Sequence, residues 1–126
     1  MDSYSSKFMD ALEENDIEAL RRISKSDLHN HQSRGANKRD LEQWLNIKIP
    51  SFTKVSSVIE MDRWYRQNIK GLTSTRETYE LKIKSAFLEA RRENIEVLCL
   101  SIGPRDMQYF NNDIQKFIDA IYNFLR

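Results

Sequence analysis

The chain has 126 residues, 40% of them hydrophobic and 31% charged, which suits one folded domain, is too short for two, and excludes a disordered tail. Its 20 lysines and arginines nearly balance 19 acidic residues, so no field of the strength that nucleic acid demands is present. No run reaches the roughly 18 apolar residues of a membrane span, and the opening MDSYSSKFMDALEEN lacks the basic and then apolar pattern of a signal peptide. The expectation is a cytoplasmic protein with neither nucleic acid nor membrane as partner.

In chain order, residues 1–24 read as a helical hairpin. Ser5 or Ser6 is placed to cap a helix carrying Phe8, Met9 and Leu12, and Asn15 or Asp16 to cap one carrying Ile17, Leu20 and Ile23. KSDLHNH then predicts a short strand over Ser26–Asn30, followed by a loop around Gly35. A short helix from about Lys38 puts Leu41, Trp44 and Leu45 on one face, and NIKIPSFTKVSS reads as an irregular connection. Val58, Met61, Trp64, Tyr65 and Ile69 space an amphipathic helix to Lys70, with Gly71 placed to end it.

The long helix that follows is signalled by Ser74 with Glu77 as a capping box and by the stripe Tyr79, Ile83, Phe87, Ala90. IEVLCLSI, stopped by Gly103-Pro104, predicts a strand buried on both faces, with Cys99, the sole cysteine, as an inert buried thiol. A last helix from about Asn112 carries Ile114, Phe117, Ile118, Ile121 and Leu125 on one face. Residues 25–126 thus form two strand–helix units, and strand, helices, strand in this order predicts a parallel pair. The fold class is α/β and helix-rich; a sheet of two parallel strands has both edges open, and the apolar faces of IEVLCLSI and of the Ile114–Leu125 helix left partly exposed predict that the chain self-associates or is unstable.

Both histidines of the chain lie one residue apart in SDLHNHQSRG. Residues two apart on a strand project to one side, so His29 and His31 would present two imidazoles to a single ion such as zinc, with Asp27 one alternation earlier. The C-terminal end of a parallel strand is also where barrels and open α/β folds gather their chemistry. By themselves two imidazoles are half a site, since zinc takes three or four protein ligands.

RRISKSDLHNH, with its lysine-bearing turn, strand-borne His-x-His and following glycine loop, resembles the opening of the adenosine deaminase family of metal-dependent amidohydrolases. The distant EARRENIEVLCLSIGP resembles that family's second helix–strand unit, so the likeness runs from about Leu20 to Pro104. The resemblance implies the N-terminal part of a (β/α)₈ TIM-type barrel and the hydrolytic deamination of a purine nucleoside or related small molecule. It makes His29 and His31 two of the zinc ligands, and Gly35 part of the substrate-touching loop. The remaining ligands and the proton-transferring glutamate come from later strands and have no match here, so the 126-residue chain is expected to be inactive alone. Gln32-Ser33-Arg34 departs from the family pattern after the second histidine, which leaves the substrate open. Two other readings stand beside this one. PHP phosphoesterases also begin with Asp-x-His-x-His, and Trp44, Trp64, Tyr65 and Tyr109 would serve a non-enzymatic helical interaction module.

Overall fold

The computed structural model describes residues 3–32 and 35–124, a helix-rich α/β body around one open sheet of two parallel strands. Helices α1 (Ser3–Glu13) and α2 (Ile17–Arg22) form the hairpin, turned by Asn15 in the left-handed region at φ 54°. Asp16 caps α2 by accepting from the Ala19 N–H at 2.9 Å. Ser5 and Ser6 lie inside α1 and not before it, and the Ser6 hydroxyl donates back to the Ser3 carbonyl. The far end of α2 is closed by a side chain that no local rule singled out. Lys25 Nζ donates to the carbonyls of Leu20 (2.7 Å) and Ile23 (2.9 Å), placing a cation where helix carbonyls are unpaired.

Strand β1 (Lys25–His31) pairs with β2 (Ile95–Ser101), and the ladder is extended by the Lys25 N–H donating to the Asn94 carbonyl before β2 and the Gln32 N–H, just past β1, donating to the Ser101 carbonyl. The register runs Asp27 to Leu98 and then Asn30 to Leu100, so β1 holds one extra residue between those points. That bulge breaks the two-residue alternation next to the first histidine.

Helix α3 (Lys38–Leu45) starts at an Asn37 cap and stops at left-handed Asn46. The connection to α4 is irregular, as its composition predicts, and is tied down where the Ile49 N–H donates to Glu42 at 2.8 Å. Helix α4 (Val58–Tyr65) covers only the first half of the predicted helix. The chain then widens into a π turn (Arg66–Lys70) and tightens into a 3₁₀ turn (Gly71–Thr73). Gly71 does not end the helix by a left-handed turn; its φ of −61° is ordinary right-handed backbone. The π turn is closed in part by side chains, with Asn68 donating to the Trp64 carbonyl and Thr73 to that of Ile69.

Helix α5 (Arg76–Arg92) begins one residue later than its sequence signal. The reciprocal box is Thr75 with Thr78, and Ser74 instead bonds back to the Gly71 carbonyl. A second 3₁₀ turn (Pro104–Phe110) follows β2 and leads to α6 (Ile114–Tyr122), capped by Asp113. Two apolar clusters hold the body together. Tyr79, Ile83, Phe110, Phe117 and Ala120 join α5, the second 3₁₀ turn and α6, while Leu41, Ile49 and Ile69 gather α3 and the π turn under Trp64 and Tyr65.

The sheet is covered on one face only. Leu98 and Leu100 are half-buried, whereas Val97 stays 50% exposed and Cys99 is exposed. The expected two-face burial of β2 and the inert buried thiol are therefore overturned, because nothing among the described residues packs on the second face. Ile114 at the start of α6 is likewise 67% exposed, and Leu125 lies outside the described residues. No helix among the described residues is long and apolar enough to cross a membrane.

Candidate functional site

His29 and His31 occupy the last three residues of β1, both exposed, with their rings edge to face at a centroid separation of 4.9 Å and 79° between planes. Their Nε2 atoms stand 3.1 Å apart. Two nitrogens each ~2.05 Å from one tetrahedral ion sit about 3.3 Å apart, so the pair is already spaced for shared ligation. The same spacing also permits one N–H···N hydrogen bond between neutral rings. Among the described residues no group of three or more His, Cys, Asp or Glu side chains converges as a metal site.

Asp27 does not complete the row that strict alternation predicts. The bulge carries it to the side of Asn30, whose amide donates to Asp27 Oδ2 at 2.8 Å, while Oδ1 accepts the His29 backbone N–H at 3.2 Å. Asp27 therefore fixes the backbone of the histidine strand and makes no bond to either imidazole. The turn beyond is closed by Gly35 N–H to the His31 carbonyl at 2.8 Å. A Cβ on Gly35 would collide with the Asn30 side-chain oxygen, so any larger residue there would have to push the Asn30 side chain aside. Gln32, next to His31, is fully buried, and neither atom of its amide has a hydrogen-bond partner among the described residues. Ser33 and Arg34 lie outside the described residues.

A cleft of about 470 Å³ opens at the C-terminal ends of both strands, where His31 and Ser101 reach its wall. Its other side is built by α4, the π turn, α5 and the second 3₁₀ turn. Lys82 is the group that sequence reasoning missed. On the helical stripe it sits beside Tyr79 and Ile83, only 3% exposed, and its ammonium donates to the Tyr65 hydroxyl at 2.9 Å while lying against the Tyr65 and Tyr79 rings. Burial, with the like charge of Lys70 adding to it, pulls Lys82 down to about 8, although Asp106 opposes the shift. Tyr79 donates its hydroxyl to Asp106 Oδ2 at 3.2 Å and stacks on Tyr109 at 4.8 Å. Burial and that neighbouring carboxylate push the Tyr79 phenol up, so it stays protonated.

The aromatics that would serve an interaction module are engaged within the fold. Trp64 meets Phe52 edge to face, Tyr109 lies on Tyr79, and Lys84 sits 5.1 Å over the Trp44 ring. No known family model, curated protein or solved structure matches this chain.

Proposed function

We propose that this chain forms the first two strand–helix units of a (β/α)₈ hydrolase similar to the adenosine deaminases, with His29 and His31 as two of the ligands of a catalytic zinc. The observation that carries the reading is the 3.1 Å separation of the two Nε2 atoms at the C-terminal end of a parallel strand. A zinc ion held there supplies the lowered pKa of a bound water, which is what hydrolytic removal of an amino group requires. His29 and His31 hold the ion. Asp27 and Asn30 keep the bulged strand in the shape that turns both rings together, and Gly35 lets the following loop pass close to that strand. The nucleoside-like substrate would lie in the adjoining cleft, which His31 also lines. The bonding of Asp27 away from the imidazoles favours this reading over the phosphoesterase one, in which the aspartate is part of the same motif.

Zinc titration against a chromophoric chelator tests the assignment. One equivalent should bind, and His29→Ala and His31→Ala should each weaken binding at least tenfold. Unchanged affinity in both variants would sink the reading. The chain alone should release no ammonia from adenosine, because the remaining ligands and the proton-transferring carboxylate of the family have no match in it.

A further inference from the structure

We propose that the cleft at the strand ends contains a subsite for a phosphate monoester, so that the substrate of the hydrolase assigned above is a nucleotide and not a neutral nucleoside. The placing of a substrate there rests on that hydrolase reading; the affinity for the anion does not. Among the described residues four basic side chains line the cleft, Arg66, Lys70, Lys82 and Arg105, against two acids, Asp62 and Asp106. Arg66 is held by Asp62 at 2.7 Å, and Asp106 accepts the Tyr79 hydroxyl. Among the described residues the balance is two positive charges, the complement of a phosphomonoester dianion.

Lys82 is the anchor of the argument. A buried ammonium is costly unless an anion answers it, yet among the described residues Lys82 makes no ion pair, and its hydrogen bond goes to the Tyr65 hydroxyl. The second lysine of the cleft, Lys70, is near enough to disfavour its charge further. Asp106, in the same cleft, favours the Lys82 charge but does not offset its burial, so an anion seated between the two lysines would complete what that carboxylate answers only in part. The cleft volume of about 470 Å³ falls within the roughly 300–1,000 Å³ of small-molecule sites, room for a nucleotide and not only for a free ion. Rings of Tyr65, Tyr79 and Tyr109 line the same space and supply apolar faces beside the charges.

Calorimetric titration of the metal-free chain with adenosine 5′-monophosphate, adenosine and inorganic phosphate tests the proposal. The monophosphate should bind at least tenfold tighter than either of the others. That advantage should fall below threefold in Lys82→Met, and several-fold in Lys70→Gln, an exposed site whose change leaves the fold alone. Circular dichroism identifies any variant that has failed to fold. Adenosine or inorganic phosphate binding as tightly as the monophosphate would overturn the subsite, as would a full advantage retained in both variants. Zinc titration of the same samples reads the other assignment separately. Zinc binding without the monophosphate preference overturns the subsite alone, and the preference without zinc binding overturns the hydrolase alone.

Discussion

Arg92, at the end of α5, closes on both oxygens of Asp40 in α3, each at 2.9 Å. Asp40 Oδ2 also accepts the Ser85 hydroxyl at 2.8 Å, and Ser85 in turn accepts the Asn37 N–H that opens α3. Burial by itself would raise the Asp40 carboxyl, but the bonds from Arg92 and Ser85 outweigh it and hold the group below its usual range. One buried carboxylate thus docks a short helix onto a long one. Asp40→Ala leaves the Ser85 hydroxyl and the α3 start without that acceptor and should cost about 1–3 kcal/mol in urea unfolding. Arg92→Ala, whose side chain is half exposed, should cost less. A depressed carboxylate contributes stability that is present above its unfolded pKa and is lost as pH falls through the folded one. Below pH 4 the wild type should therefore lose more stability than Asp40→Ala. Parallel acid profiles would remove Asp40 from that role.

Lys82 works in the opposite sense. Its folded value of about 8 lies below the ordinary 10.5, so between those values the unfolded chain holds the proton more firmly than the folded one. Stability should then rise with pH from about 8 to about 10, and burial of the charged form costs up to ~3 kcal/mol below that window. The groups facing Lys82 are Tyr65 from α4, Lys70 from the π turn, Tyr79 on its own helix and Asp106 from the second 3₁₀ turn. Tyr79, pushed up, opposes the trend only above pH 10. Urea midpoints measured from pH 7 to 10 should slope upward in the wild type and run flatter in Lys82→Met. The same slope in both would mean that the ammonium is not desolvated.

These two contacts mark the limit of what the sequence discloses. Helices α3, α5 and α6 were legible because an amphipathic stripe is a local signal, written at three- and four-residue spacing. The shared direction of His29 and His31 was legible for the same reason, from two-residue alternation. The Asp40–Arg92 fork spans 52 residues and the Lys82–Tyr65 bond 17, and neither partner carries a local mark of the other. The bulge in β1 depends on how β2 lies beside it, so the displacement of Asp27 had no signature in SDLHNH. Cys99 was misread because an apolar run records which residues tolerate burial, and not whether anything covers them.

Gly35 and Asn30 give a test of the loop that follows the histidines. Gly35→Ala places a methyl group against the Asn30 side-chain oxygen and should displace the Asn30 amide from Asp27. Loss of that half-buried bond should cost about 1 kcal/mol of stability. It should also loosen the backbone N–H of His29 held by the same Asp27. Hydrogen exchange at His29 should therefore quicken in Gly35→Ala while exchange in α6 stays as it was. If His29 exchange does not change, the glycine is there for some reason other than the Asn30 contact.

The uncovered side of the sheet gives the last prediction. Leu28 at 69% exposure and Val97 at 50% stand on strands whose outer edges are unpaired, with the Cys99 thiol exposed between Leu98 and Leu100 on β2. Exposed apolar strands with open edges pair with other chains. The chain should therefore self-associate with rising concentration in light scattering. A charge on the bare face, Val97→Lys, should return it toward monomer at modest cost, because half of that residue is already in solvent. Cys99 provides an independent readout. In dilute native protein it should react with a thiol reagent at close to the rate of the unfolded chain, and the reaction should slow as the chain associates. A monomeric species at all concentrations whose Cys99 is protected until unfolding would mean that some other part of the chain covers this face.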